Sequence, residues 1–136
     1  MAAEHGHRRV LIVLSDGEEN SSEHDYVDAV EAAQGADTLV YSLRTTENKP
    51  AKMTARDLYG MRVLDHLADD TGGRSFDVSA QDPAQIFSSI AADLRSLYEI
   101  GYYSTNKRHG RGFRKVIVEV DGEGLRPQAR PGYVSR

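Results

Sequence analysis

A chain of 136 residues, 39% apolar and 28% charged, has the size and composition of one domain with its own core, not two. No run approaches the ~18 apolar residues of a membrane span, and no secretory leader is legible at the start. Zero cysteines exclude a disulfide framework and thiolate chemistry. The reading is of a soluble product without its own export signal, whose compartment the sequence leaves open.

The net charge of −4 conceals an asymmetry. Residues 1–104 hold 9 Lys and Arg against 18 Asp and Glu, whereas residues 105–136 hold 8 against 3. A basic tail of this kind meets acidic partners or nucleic acid in some proteins. Without aromatic residues spaced along a basic groove, a solvated β-hairpin is the simpler reading, and nucleic acid is disfavoured.

In chain order, residues 1–7 read as a polar lead-in, and His5 and His7, with no third ligand near them, read as part of that tail. Residues 9–15 form the first predicted strand. Val10 to Leu14 are consecutively apolar, the pattern of a strand buried on both faces in a parallel sheet. The strand ends abruptly in Ser15-Asp16-Gly17. Sites in open α/β sheets form just beyond the carboxyl ends of strands, so Asp16 stands where a ligand or metal would be met. An acidic loop follows. A helix over about 23–34, capped from Ser22 with Asp25, carries Tyr26, Val27, Val30 and Ala33 on one face.

Residues 37–43, rich in β-formers, give the second strand. A βαβ unit of this length makes the two strands parallel with a right-handed crossover. Residues 44–59 read as a long irregular rim beside the strand ends, with Pro50 against an early helix. A helix at 59–70 ends at Thr71-Gly72-Gly73, a short strand follows at 74–78, and His66 reads as solvent-facing. Asp82-Pro83-x-Gln85 starts a helix over 83–97, with an N-cap, a proline at the first position and a capping-box glutamine. Residues 98–104 and 113–120 then read as the two strands of a hairpin around a basic loop, with an extended segment over 125–134. The expected domain is single: an α/β part over 1–97 and a hairpin extension over 98–136.

Four stretches together carry a resemblance. Val10 to Gly17 resembles the fourth strand of a von Willebrand factor type A (VWA) domain. Leu67-Ala-x-x-Thr-Gly-Gly73, Leu94-x-x-x-Tyr98 through Gly101-Tyr102-Tyr103, and Ala129-Arg-Pro-Gly-Tyr133 resemble a bacterial VWFA-related group. The resemblance implies a doubly wound sheet with a metal-ion-dependent adhesion site. Such a site joins an Asp-x-Ser-x-Ser, a threonine and a strand-end aspartate. Asp16 matches the aspartate and the other two segments have no counterpart, so the chain resembles the second half of the domain. The implied metal set here is partial: Asp16, with Ser15 beside it and Glu18 as a weaker contributor, for Mg2+ or another divalent cation held weakly, since hard cations want several oxygens.

A half domain leaves the first strand without a neighbour and one sheet face without a companion helix. Burying an aliphatic side chain is worth ~1.5–3 kcal/mol, so uncovering two or three is comparable with a domain's ~5–15 kcal/mol of stability. A homodimer is therefore expected, through the first-strand edge or by exchange of the C-terminal hairpin. The functional expectation is a non-enzymatic protein-binding module, metal-dependent in the intact parent, which would be a secreted or extracytoplasmic protein. The competing class is a phosphoryl-transfer or hydrolytic enzyme using Asp16 as nucleophile. Ser42 and Asp77 fall near later strand ends for that chemistry, but no lysine does.

Overall fold

The computed structural model describes residues 8–17, 25–45, 53–105, 110 and 112–135. The described chain is mixed α/β, in the order β1 (Arg9–Ser15), α1 (Tyr26–Gly35), β2 (Thr38–Arg44), α2 (Ala55–Thr71), β3 (Ser75–Asp77), α3 (Pro83–Arg95), β4 (Gly112–Lys115) and β5 (Gly132–Ser135). β1, β2 and β3 form a parallel sheet in that spatial order, with Arg9 beside Thr38 and Ser42 beside Ser75. β4 and β5 form a separate antiparallel pair.

β2 is the centre of the molecule because its side chains are covered on both faces. Leu39, Tyr41 and Leu43 join Phe76 of β3 and Ile86 and Ile90 of α3 in one core cluster. Val40 and Ser42 point the other way, and the Ser42 hydroxyl donates to the Leu64 carbonyl of α2 at 2.9 Å. Strand alternation thus sets α3 on one face and α2 on the other. α1 packs alongside α2, where the Tyr26 hydroxyl donates to the Asp70 carboxylate. This is the helix arrangement expected of two crossovers followed by a returning third helix.

Thr71-Gly72-Gly73 performs three separate tasks. The Thr71 hydroxyl accepts the Val40 N–H at 3.0 Å, satisfying a buried donor of β2 beyond the reach of the short β3. Gly72, at φ +85°, closes α2 in the left-handed conformation. Gly73 lies so close to β2 that an added Cβ would stand 1.9 Å from the Val40 carbonyl oxygen.

Several boundaries differ from the sequence expectation. α1 starts later than Glu23, because Asp25 rather than Ser22 is its N-cap and forms a box with Asp28. α2 starts earlier, within the stretch expected to be irregular, because Thr54 and Asp57 form a capping box with aspartate in the glutamate role. In α3 the Asp82 carboxylate accepts from Ala84 rather than Gln85, and the helix stops at Arg95. The larger correction concerns the hairpin. Residues 98–104 lie outside every strand, and β4, ending at 115 rather than 120, pairs instead with Gly132–Ser135. Gly132 decides this, since a Cβ there would stand 2.4 Å from the Arg114 carbonyl oxygen and from the Phe113 ring. Residues 98–104 reach the pair through side-chain bonds, Tyr102 to Tyr133 and Ser104 to Arg114.

β1 shows the widest gap between composition and environment. It pairs with β2 along its whole length, yet it is an edge strand, and Leu14 is 65% and Leu11 50% exposed. Val10 and Ile12 are exposed as well.

Candidate functional site

The turn after β1 is held from two directions. The Ser15 carbonyl accepts the Thr45 N–H at 3.1 Å, while the Ser15 hydroxyl accepts the Gly17 N–H at 3.0 Å. Gly17, at φ +83°, lies directly against Gly60 of α2, and an added Cβ on Gly60 would sit 2.1 Å from the Gly17 carbonyl oxygen. Only two glycines allow the two backbones this approach. The clamp leaves Asp16 exposed at the carboxyl edge of the sheet, where the sequence put it.

The register then determines what lies beside it. Ser15 is next to Arg44, and Arg44 is next to Asp77. Asp16 and Asp77 therefore flank β2, their main chains about two strand spacings apart, roughly 9–10 Å. Arg44 lies between them, its guanidinium 3.2 Å from the Asp65 carboxylate. The Asp77 carboxylate accepts the Ser79 N–H at 2.9 Å. Among the described residues no three His, Cys, Asp or Glu side chains gather to hold a metal. The described members of the expected set, one carboxylate and a neighbouring hydroxyl already engaged by Gly17, supply two of the about six oxygens that a divalent cation asks for. Glu18, the remaining acid of the expected set, lies outside the described residues, as do His5 and His7.

The acids of α2 form a second electrostatic feature. The Asp69 carboxyl titrates above the usual aspartate range, first because of partial burial and then because Asp65 and Asp70 repel its charge, with His66 opposing them. The Tyr26 phenol is pushed up by burial and by its bond to Asp70. The Asp70 carbonyl also accepts from the Gln34 side-chain amide at 2.7 Å, and the same nitrogen reaches the Gly132 carbonyl at 3.2 Å. Gln34 also lines one side of an open cleft of about 750 Å3 between α1 and β5, bordered by Glu31, Arg130, Tyr133 and Ser135. The cleft has no counterpart in the sequence reading. Its only local signal is the Arg130-Pro131-Gly132-Tyr133 run, in which Gly132 allows the close packing.

The surface that stands out is therefore the open side of β1. Val10, Ile12 and Leu14 share the α3 face, Leu11 the opposite one, and no strand pairs with the outer edge among the described residues. α3 covers β2 and β3 and stops short of this strip.

No protein-family model and no curated protein matches the chain. A crystal structure of an uncharacterized membrane-spanning protein from Vibrio fischeri is similar in fold, with a TM-score of 0.50 and 24% identity. The likeness covers 62% of this chain and 46% of that one, so this chain spans about half the length of that relative. No described helix here is long and apolar enough to cross a membrane.

Proposed function

We propose that this chain is a non-enzymatic protein-binding module of VWA-like architecture, equivalent to the second half of such a domain, and that it binds through the open side of β1. The observation that carries the reading is the conflict within β1, a strand of buried composition lying at an edge with its apolar side chains exposed. An unpaired edge offers a row of main-chain donors and acceptors, and an extended partner segment adds to it as a further strand. Exposed aliphatic residues on the same strand supply apolar contact surface for alternate side chains of that segment. The sheet order, with two helices on one face and the third on the other, supports the half-domain reading. The metal site of the intact fold is incomplete here, so recognition in this chain runs through the strand and not through a cation.

The experiment has two arms. A fluorescent nonapeptide of alternating valine and lysine should bind the dilute protein saturably and slow hydrogen exchange at Val10, Ile12 and Leu14. No turnover of p-nitrophenyl phosphate or p-nitrophenyl acetate above buffer is expected. Turnover abolished by Asp16→Ala, with no peptide binding, would establish the enzyme instead.

A further inference from the structure

The hydrogen-bond polarity of β1 fixes more than the existence of a binding edge. Because the Ser15 carbonyl bonds to Thr45 beyond the end of β2, strand alternation turns the amides of Arg9, Leu11, Val13 and Ser15 toward β2. Val10, Ile12 and Leu14 therefore direct their N–H and C=O groups outward. The same three residues carry the exposed apolar side chains of the α3 face.

From this polarity we infer that the strand added to β1 is β1 of a second copy, antiparallel, about a two-fold axis through Ile12. The inference rests on the strand-addition reading above and names its partner. In this register Ile12 faces Ile12 of the second copy, and Val10 faces Leu14 in both directions. All of these are outward-directed residues, and each pair exchanges both of its main-chain bonds. Leu11 faces Val13 on the other sheet face, so apolar residues meet apolar residues throughout. One step further along, Arg8 faces Asp16 of the second copy, and the symmetry makes this pairing twice. Shifting the register by two residues in either direction loses a main-chain pair and separates the charges.

Arg8 is already near a carboxylate in its own chain, 3.9 Å from Asp37, and is only partly exposed. Asp37 precedes Thr38 of β2 and so holds Arg8 from the β2 side, while Asp16 of the second copy would approach from the opposite flank. Sequence symmetry about Ile12 supplies the remaining argument. A basic residue stands four positions before it and an acidic one four positions after, with aliphatic residues between.

The chain has no cysteine, so single cysteines report the register without background. In the proposed dimer the Ile12 Cα atoms are about 5.5 Å apart, within the ~4.4–6.8 Å that a disulfide spans. The Val10 Cα atoms are roughly 14 Å apart, about four residues along the strand. Ile12→Cys is expected to cross-link rapidly under mild oxidation. Val10→Cys and Leu14→Cys are each expected to stay monomeric under denaturing electrophoresis but to cross-link when mixed. Sedimentation of the unmodified protein should show a dimer at micromolar concentration. Ile12→Pro removes only an outward N–H, a position where edge strands tolerate proline, and should weaken the dimer by at least about tenfold.

A folded monomer at micromolar concentration overturns the inference, as does a dimer in which the Ile12→Cys variant fails to cross-link. If Ile12→Pro does not fold, the cysteine pattern alone decides the register. A monomer that still binds the valine–lysine peptide overturns the dimer and leaves strand addition standing. Loss of both fails the reading on which the inference rests.

Discussion

Asp69 lies in the last turn of α2 with Asp70 beside it and no basic residue in that turn, where the helix macrodipole already disfavours negative charge. Burial and the neighbouring acids raise its folded-state pKa above the unfolded value. By linkage, folding then favours its protonated form. Its contribution is fully present below the ordinary aspartate range and is lost as pH rises through the raised value. Asp69→Asn should therefore stabilise the protein at pH 7, by up to about 0.5 kcal/mol at this partly exposed helix end, and the gain should vanish in urea titrations at pH 3. Gly60 gives the opposite sign from the one propensity suggests. Alanine in a helix interior is favoured over glycine by roughly 1 kcal/mol. A Cβ at Gly60, however, would meet the Gly17 carbonyl at 2.1 Å. Gly60→Ala should thus lower stability by about 1–3 kcal/mol, visible as a lower Tm. Nothing local in the sequence singles out Gly60, because the close approach joins positions 43 residues apart.

At the scale of elements, the joint between α2 and β2 depends on the Thr71 hydroxyl. Thr71→Val leaves the buried Val40 N–H without its acceptor, at a cost of about 1–3 kcal/mol, whereas Thr71→Ser should keep most of the stability. Chemical denaturation of the two variants checks this. Most of the α/β part was legible because local signals coincide with its elements: β-former runs in β1 and β2, the Asp82-Pro83 start of α3, and the glycines after α2. Their ends were less legible, since Asp25 and Thr54 compete with other polar residues as caps. The partner of β4 was the clearest miss. Residues 98–104 have the composition of a strand, but Gly132 and its bond to Gln34 give β5 the place beside β4. Strand pairing is a long-range choice that periodicity does not encode. The same limit applied to the site. The position of Asp16 at a strand end could be read, but Arg44 between it and Asp77 emerges only once the register of three strands is known.

For the molecule as a whole, the balance of covered and uncovered surface governs behaviour. Among the described residues only nine apolar side chains are buried, and all lie on β2, α2, β3 or α3. β1 contributes to the sheet but not to that core. If association covers it, stability becomes a function of protein concentration. The Tm should climb between about 1 and 100 μM and stop climbing in Ile12→Pro, a trend that calorimetry at several dilutions would follow. A concentration-independent Tm in the unmodified chain would count against association.

The Gln34 amide has a mechanical consequence. One nitrogen links α1 both to the end of α2 and to β5, so it acts as a rivet between the body of the protein and its C-terminal ribbon. Glu119 and Glu123, in the segment that joins β4 to β5, are exposed and open to glutamyl endopeptidase. Digestion should trim the ribbon before it nicks the helices, and Gln34→Ala should hasten the trimming while the sheet stays whole.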